Sequence, residues 1–150
     1  MKALVAGFLL LLSFSTQSAI QPQAECKDYK GNILSGTVNE LRGVMANPKG
    51  NRTQVFVSGI ITEIKKEDHS GRPHQKFKLK VNSDITLLIV SNLEFGRLPL
   101  KEGKAAKICG EFLRVGKGMV HWTHFDPHGP HADGFTIIDG TLFGDTEVTN

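Results

Sequence analysis

Between positions 33 and 45 the apolar residues Ile33, Leu34, Val38, Leu41, Val44 and Met45 recur at steps of three and four, which predicts one helix with a single apolar face. Asn47, Pro48 and Gly50 end it. Beyond that point the rhythm shortens to two. A β-branched run at 55–64 contains Gly59, where a strand has to bend sharply or admit another backbone. Residues 75–81 alternate, with Phe77, Leu79 and Val81 on one face and Lys76, Lys78 and Lys80 on the other. Residues 85–90 form an unbroken apolar run, as in a strand covered on both sides. After a crossover at 93–100, the stretches 104–115 and 119–124 predict a hairpin about the turn at 116–118. Strands at 135–138 and 141–143 flank Asp139 and Gly140, a two-residue hairpin signal.

Three strands, a short crossover and two further strands follow the order of a five-stranded OB-like Greek-key barrel. The chain is therefore expected to be mainly β. A helical extension over 20–52 precedes a barrel domain over 53–145 that carries a C-terminal hairpin. A small barrel or sandwich of another kind is the alternative that the same strand count permits.

One stretch fits neither rhythm. Lys2 precedes an unbroken apolar run at 3–12, followed by small and polar residues through Ala19, the layout of a secretory signal peptide over 1–19. The run is shorter than the roughly 20 residues of a membrane span, and no second such segment follows. The expectation is a periplasmic or secreted protein with no transmembrane segment once processed. The net charge of +3 is too small to point to nucleic acid by itself. Export places Cys26 and Cys109 where thiols oxidise, which predicts one disulfide. A catalytic Cys109 is disfavoured by its apolar strand and by the same oxidising compartment.

The candidate chemistry is concentrated in HWTHFDPHGPHADG, residues 121–134, which holds His121, His124, His128 and His131, four of the six histidines. Neutral imidazole serves as metal ligand, proton shuttle or hydrogen-bonding group near pH 7. On a regular strand His121 and His124 would face opposite ways, whereas His124 and Asp126 would share a face. His124, Asp126 and either His128 or His131 are therefore the candidate metal ligands, for a divalent ion such as zinc or manganese. The spacing matches no established zinc motif, and a loop of histidines bonded to its own backbone is the competing reading. Trp122, the single tryptophan, is read as a packing residue beside the cluster. His74 shares the lysine face of 75–81, where OB-like barrels often bind oligonucleotides or oligosaccharides. No aromatic residue interleaves with those lysines, so a solvated face is preferred to a nucleic-acid surface.

The segment GKGMVHWTHFDPHGPHADGF, with HQKF at 74–77 and ITLLIVSN at 85–92, resembles a group of small exported bacterial proteins classed as a domain of unknown function. Members carry a Gly-rich turn, then HWTH, then D-P-x-G-x-H and a following Gly. The resemblance spans roughly 53–145, leaves out the helix before Asn47, and implies an OB-like fold. Carried over, its motif falls on His74, Gln75, His121, Trp122, Thr123, His124, Asp126, Pro127, Gly129, His131 and Gly134. It favours His131 over His128 as third ligand. The expected function is an exported OB-like binding protein in which His74, Gln75, His121, Trp122, His124, Asp126 and His131 hold a small or anionic ligand. Within that set His124, Asp126 and His131 are the expected holders of a divalent metal. A metal-dependent hydrolase acting on phosphodiesters is the alternative, and a structural or partner-binding envelope protein a third.

Overall fold

The computed structural model describes residues 24–69, 71–126 and 128–144; the leader expected at 1–19 lies outside them. The elements are α1 (Val38–Ala46), β1 (Thr53–Ile64), β2 (His74–Lys80), β3 (Thr86–Asn92), a 3-10 turn (Leu93–Phe95), β4 (Ala105–Leu113), β5 (Met119–His121), β6 (Phe135–Ile138) and β7 (Thr141–Phe143). Hydrogen-bonded neighbours run β1-β2-β3-β5-β4, and β4 returns to β1, so five strands close on themselves. The β3–β5 pair is parallel and the others are antiparallel. This is the OB-like barrel read from the strand order, and β6 and β7 form the C-terminal hairpin attached to it.

Closure depends on β1 serving two neighbours. Residues 53–60 pair with β4 and the end of the strand pairs with β2, with Ile60 opposite both Ala105 and Lys80. A bulge between Ile61 and Glu63 adds curvature. At Gly59 a Cβ would lie 2.4 Å from the Lys80 carbonyl oxygen, so the close approach expected there is present. Alternation then selects the interior. Val57, Ile61, Phe77, Leu79, Leu87, Ile89, Ile108 and Val120 are almost fully buried in one core. Each such burial stabilises the fold by about 1.5–3 kcal/mol. Lys76, Lys78 and Lys80 face outward, Lys76 paired with Asp68 and Lys78 with Glu63.

Several expected boundaries shift. The helix begins at Val38 rather than 33, because Gly36 has φ 71° and Thr37 caps the first turn by accepting the Glu40 N–H. The Glu40 carboxylate in turn accepts the Gly36 N–H, a reciprocal arrangement close to a capping box. Ile33 and Leu34 belong instead to a strap over 24–36, which folds back on itself through a bridge between Lys27 and Ile33. The strap covers the outer face of the barrel. There the Cys26–Cys109 disulfide and Phe135, with Leu34 and Phe56 against them, make a second apolar cluster. The hairpin expected over 104–115 and 119–124 is shorter, with β5 ending at His121. The turn at Asp139 and Gly140 has φ of 48° and 82°, the type I′ geometry its sequence predicts. Among the described residues no helix is long and apolar enough to cross a membrane.

Candidate functional site

Strands β5 and β6 dock on the same edge of β4, and the histidine cluster fills the interval between them. His121 faces Glu111 and Phe135 faces Cys109. An unbroken strand would set residue 123 opposite Cys109, so the chain leaves the edge and rejoins it twelve places on. The departure is at Trp122, whose φ of 50° lies in the left-handed region and swings the backbone off the strand. The return is at Gly134, where a Cβ would lie 2.2 Å from the Trp122 carbonyl oxygen and 2.7 Å from that of Cys109. Gly134 N–H donates to the His124 carbonyl across this neck. Thr123 is buried, its hydroxyl directed at the Val90 carbonyl, and Phe125 N–H donates to Gly144 at the end of β7.

Within the loop Asp126 acts as a clamp. Its Oδ1 accepts the His128 N–H at 3.0 Å and its Oδ2 the His131 N–H at 2.7 Å. Burial works to raise its pKa, but the backbone N–H groups of His131 and His128, the attraction of the His131 imidazole and the Gly129 N–H prevail and hold it below the ordinary carboxylate value.

His124 and His131 are both buried. Their Nδ1 atoms lie 2.7 Å and 2.8 Å from the carbonyl oxygens of the next residues, Phe125 and Ala132. A carbonyl can only accept, so Nδ1 carries a proton in both rings; His124 Nε2 is left as an acceptor, whereas His131 Nε2 lies 3.6 Å from Asp126 Oδ2. The two rings meet edge to face at 4.8 Å, and Phe95 stacks flat on His124 at 3.7 Å. His121 lies against Trp122 at 4.6 Å and His74 at 5.2 Å. Burial, and then the neighbouring imidazoles of His74, His124 and His131, push the pKa of His121 down to about 4. His124 is lowered too, chiefly by burial. Both are uncharged at neutral pH. They line a cleft of about 340 Å³ with His131, Trp122, Phe95, Arg72, Glu94, Asp126, His128 and Pro130.

Most of the expected cluster is thus brought together, with changes. The strand-alternation argument that separates His121 from His124 does not apply, because the strand ends at His121 and Trp122 redirects the chain. His131 is buried and His128 exposed. His74 touches His121 from the outer face of β2. Gln75 points inward instead, its amide bonded both ways to the Leu98 backbone. Among the described residues no group of three or more His, Cys, Asp or Glu is arranged to hold a metal ion. Both oxygens of Asp126, the carboxylate of the expected trio, accept backbone amides, and Oδ2 also lies 3.6 Å from His131 Nε2.

Sequence reasoning missed a second tier. Glu111 on β4 is fully buried, with the Tyr29 hydroxyl 2.6 Å from one oxygen and Arg52 Nε 3.1 Å from the other. A carboxylate inside the apolar stretch AAKICGEFL was the available signal. Nothing comparable marked Phe95, which reaches His124 from the crossover.

Among known proteins, residues 38–144 match the family described as Protein of unknown function (DUF3465). The match takes in α1, which the motif resemblance leaves out, and begins after the strap that carries Cys26 and Tyr29. No curated protein and no solved structure matches the chain.

Proposed function

The chain belongs to this family of proteins of unknown function, and from its own residues we propose that it is an exported OB-like binding protein whose cleft takes a small neutral ligand rich in O–H and N–H donors. The acceptor Nε2 of His124, and the His131 imidazole paired with the Asp126 carboxylate on the same cleft, carry this proposal. The buried imidazoles of His121 and His124, whose pKa values burial lowers, accept hydrogen bonds and offer no charge to an anion. Glu94 and Asp126 on the same walls work against an anion as well, and Arg72 beside them is paired with Glu94 at 3.6 Å. Trp122 and Phe95 supply apolar surface. The cleft volume falls near the lower end of the roughly 300–1,000 Å³ usual for small-molecule sites, room for a mono- or disaccharide. Export is supported by the apolar run at 3–12 and by the disulfide, a bond that persists in oxidising compartments.

The test is a titration with neutral mono- and disaccharides and nucleosides, followed by the emission of the single tryptophan. At least one probe should saturate. His124→Ala and His131→Ala should each weaken it by about tenfold, the loss of one buried hydrogen bond, while the exposed His128→Ala should not. Saturation with equal affinity in all variants, or with no probe at all, would overturn the proposal. Elemental analysis of tag-free protein belongs beside it. Stoichiometric zinc or manganese, lost on His124→Ala, would assign the two imidazoles to a metal instead.

A further inference from the structure

Trp122 holds a left-handed backbone that non-glycine residues seldom adopt, and so does Arg52, with φ of 61°. Two such residues in contact call for something that fixes both. Arg52 follows the end of α1 and precedes β1, and its guanidinium lies 4.9 Å from the centroid of the Trp122 ring. The same guanidinium is tied through Nε to Glu111. Glu111 cannot yield, because it is fully buried on β4, directly across from His121. Its second oxygen is covered by Tyr29, whose hydroxyl also lies 3.2 Å from the Pro130 carbonyl oxygen in the site loop.

We propose that Arg52 is the positioning residue of the cleft: anchored by Glu111, its guanidinium plane holds the Trp122 ring, and through that ring sets the walls formed by His121 and His131. A planar cation over an indole is attracted to its face and limits its rotation. Trp122 contacts His121 at 4.6 Å and His131 at 5.9 Å, so a turned indole displaces both imidazoles. Arg52 itself is not among the residues that line the cleft, and it acts only through Trp122. What the cleft holds rests on the function proposed above; the orientation of Trp122 does not.

The chain has one tryptophan, so its emission reports the surroundings of Trp122 alone. Arg52→Ala removes a side chain about half exposed but leaves the buried Glu111 with only the Tyr29 hydroxyl, so folding of the variant is first verified by urea denaturation. The variant should shift Trp122 emission to longer wavelength, raise acrylamide quenching severalfold and alter the near-UV circular dichroism, with the far-UV spectrum unchanged. Arg52→Lys keeps the charge without the plane and should restore these signals only in part. Tyr29→Phe keeps the Arg52–Glu111 pair and should leave them close to the parent. Any probe that saturates the parent should bind Arg52→Ala about tenfold more weakly. Unchanged emission and quenching in Arg52→Ala would overturn the proposal. A changed Trp122 signature in a protein that binds none of the probes would support it while overturning the ligand proposal.

Discussion

Gly134 has no room for a side chain, because the carbonyl oxygens of Trp122 and Cys109 and the His124 nitrogen all lie within 3 Å of where a Cβ would stand. These are backbone atoms of the loop neck and of β4, which cannot swing aside. Gly134→Ala should therefore lose about 1–3 kcal/mol or more in urea denaturation and move the Trp122 emission, since the neck can open only by displacing Trp122. Gln75 makes a contrasting case. Its amide satisfies both the N–H and the C=O of buried Leu98, so Gln75→Ala should cost about 1–3 kcal/mol while leaving probe affinity at the cleft unchanged. Reduced affinity at full stability would instead make Gln75 a ligand contact. At this scale the sequence located the cluster but not the roles. Whether Asp126 or Gln75 turns its polar atoms to a ligand or to the backbone depends on the neighbouring chain, which spacing does not record.

The loop between β5 and β6 carries a pH dependence of definite sign. His121 faces His74 from β2, Glu111 from β4 and His124 and His131 from the loop itself. Its folded pKa of about 4 lies below the ordinary 6.5, and that of His124 is also lowered. The unfolded chain therefore takes up protons first as pH falls, so their contribution is complete above about 6.5 and declines through the window down to about 4. Asp126, also depressed, adds a loss in the same direction at still lower pH. The melting temperature should accordingly fall between pH 7 and pH 4.5, and His121→Gln should flatten the decline. A melting temperature that holds or rises on acidification would exclude a neutral, buried cluster. Elements with a strict period were legible: Phe77 and Leu79 fell on the core face of β2 as alternation required. Their ends were less so, because Thr37 at the start of α1 and Trp122 at the end of β5 act through a capping bond and a left-handed φ rather than through hydrophobicity.

For the whole molecule the strap and the barrel are joined by one covalent bond across 83 residues, between Cys26 and Cys109. Reduction, or Cys26→Ser with Cys109→Ser, should lower unfolding free energy by about 2–5 kcal/mol in urea, mostly by freeing the unfolded chain. The barrel should persist, since its core contains neither cysteine. A midpoint that does not move would show that the bond contributes nothing in solution. The barrel itself was readable from strand order and from Gly59, because closure is a matter of repeating pattern. The strap was not, since its folding depends on a distant cysteine and on a glutamate in β4. The doubled docking on β4 has a further consequence. As β5 and β6 occupy successive places along one edge, the segment between them is an interruption that the sheet already tolerates. The rungs of the ladder on either side of the neck are made without the residues between its two ends. The barrel is thus a socket: its strands close the sheet, and the loop it displays carries the histidines.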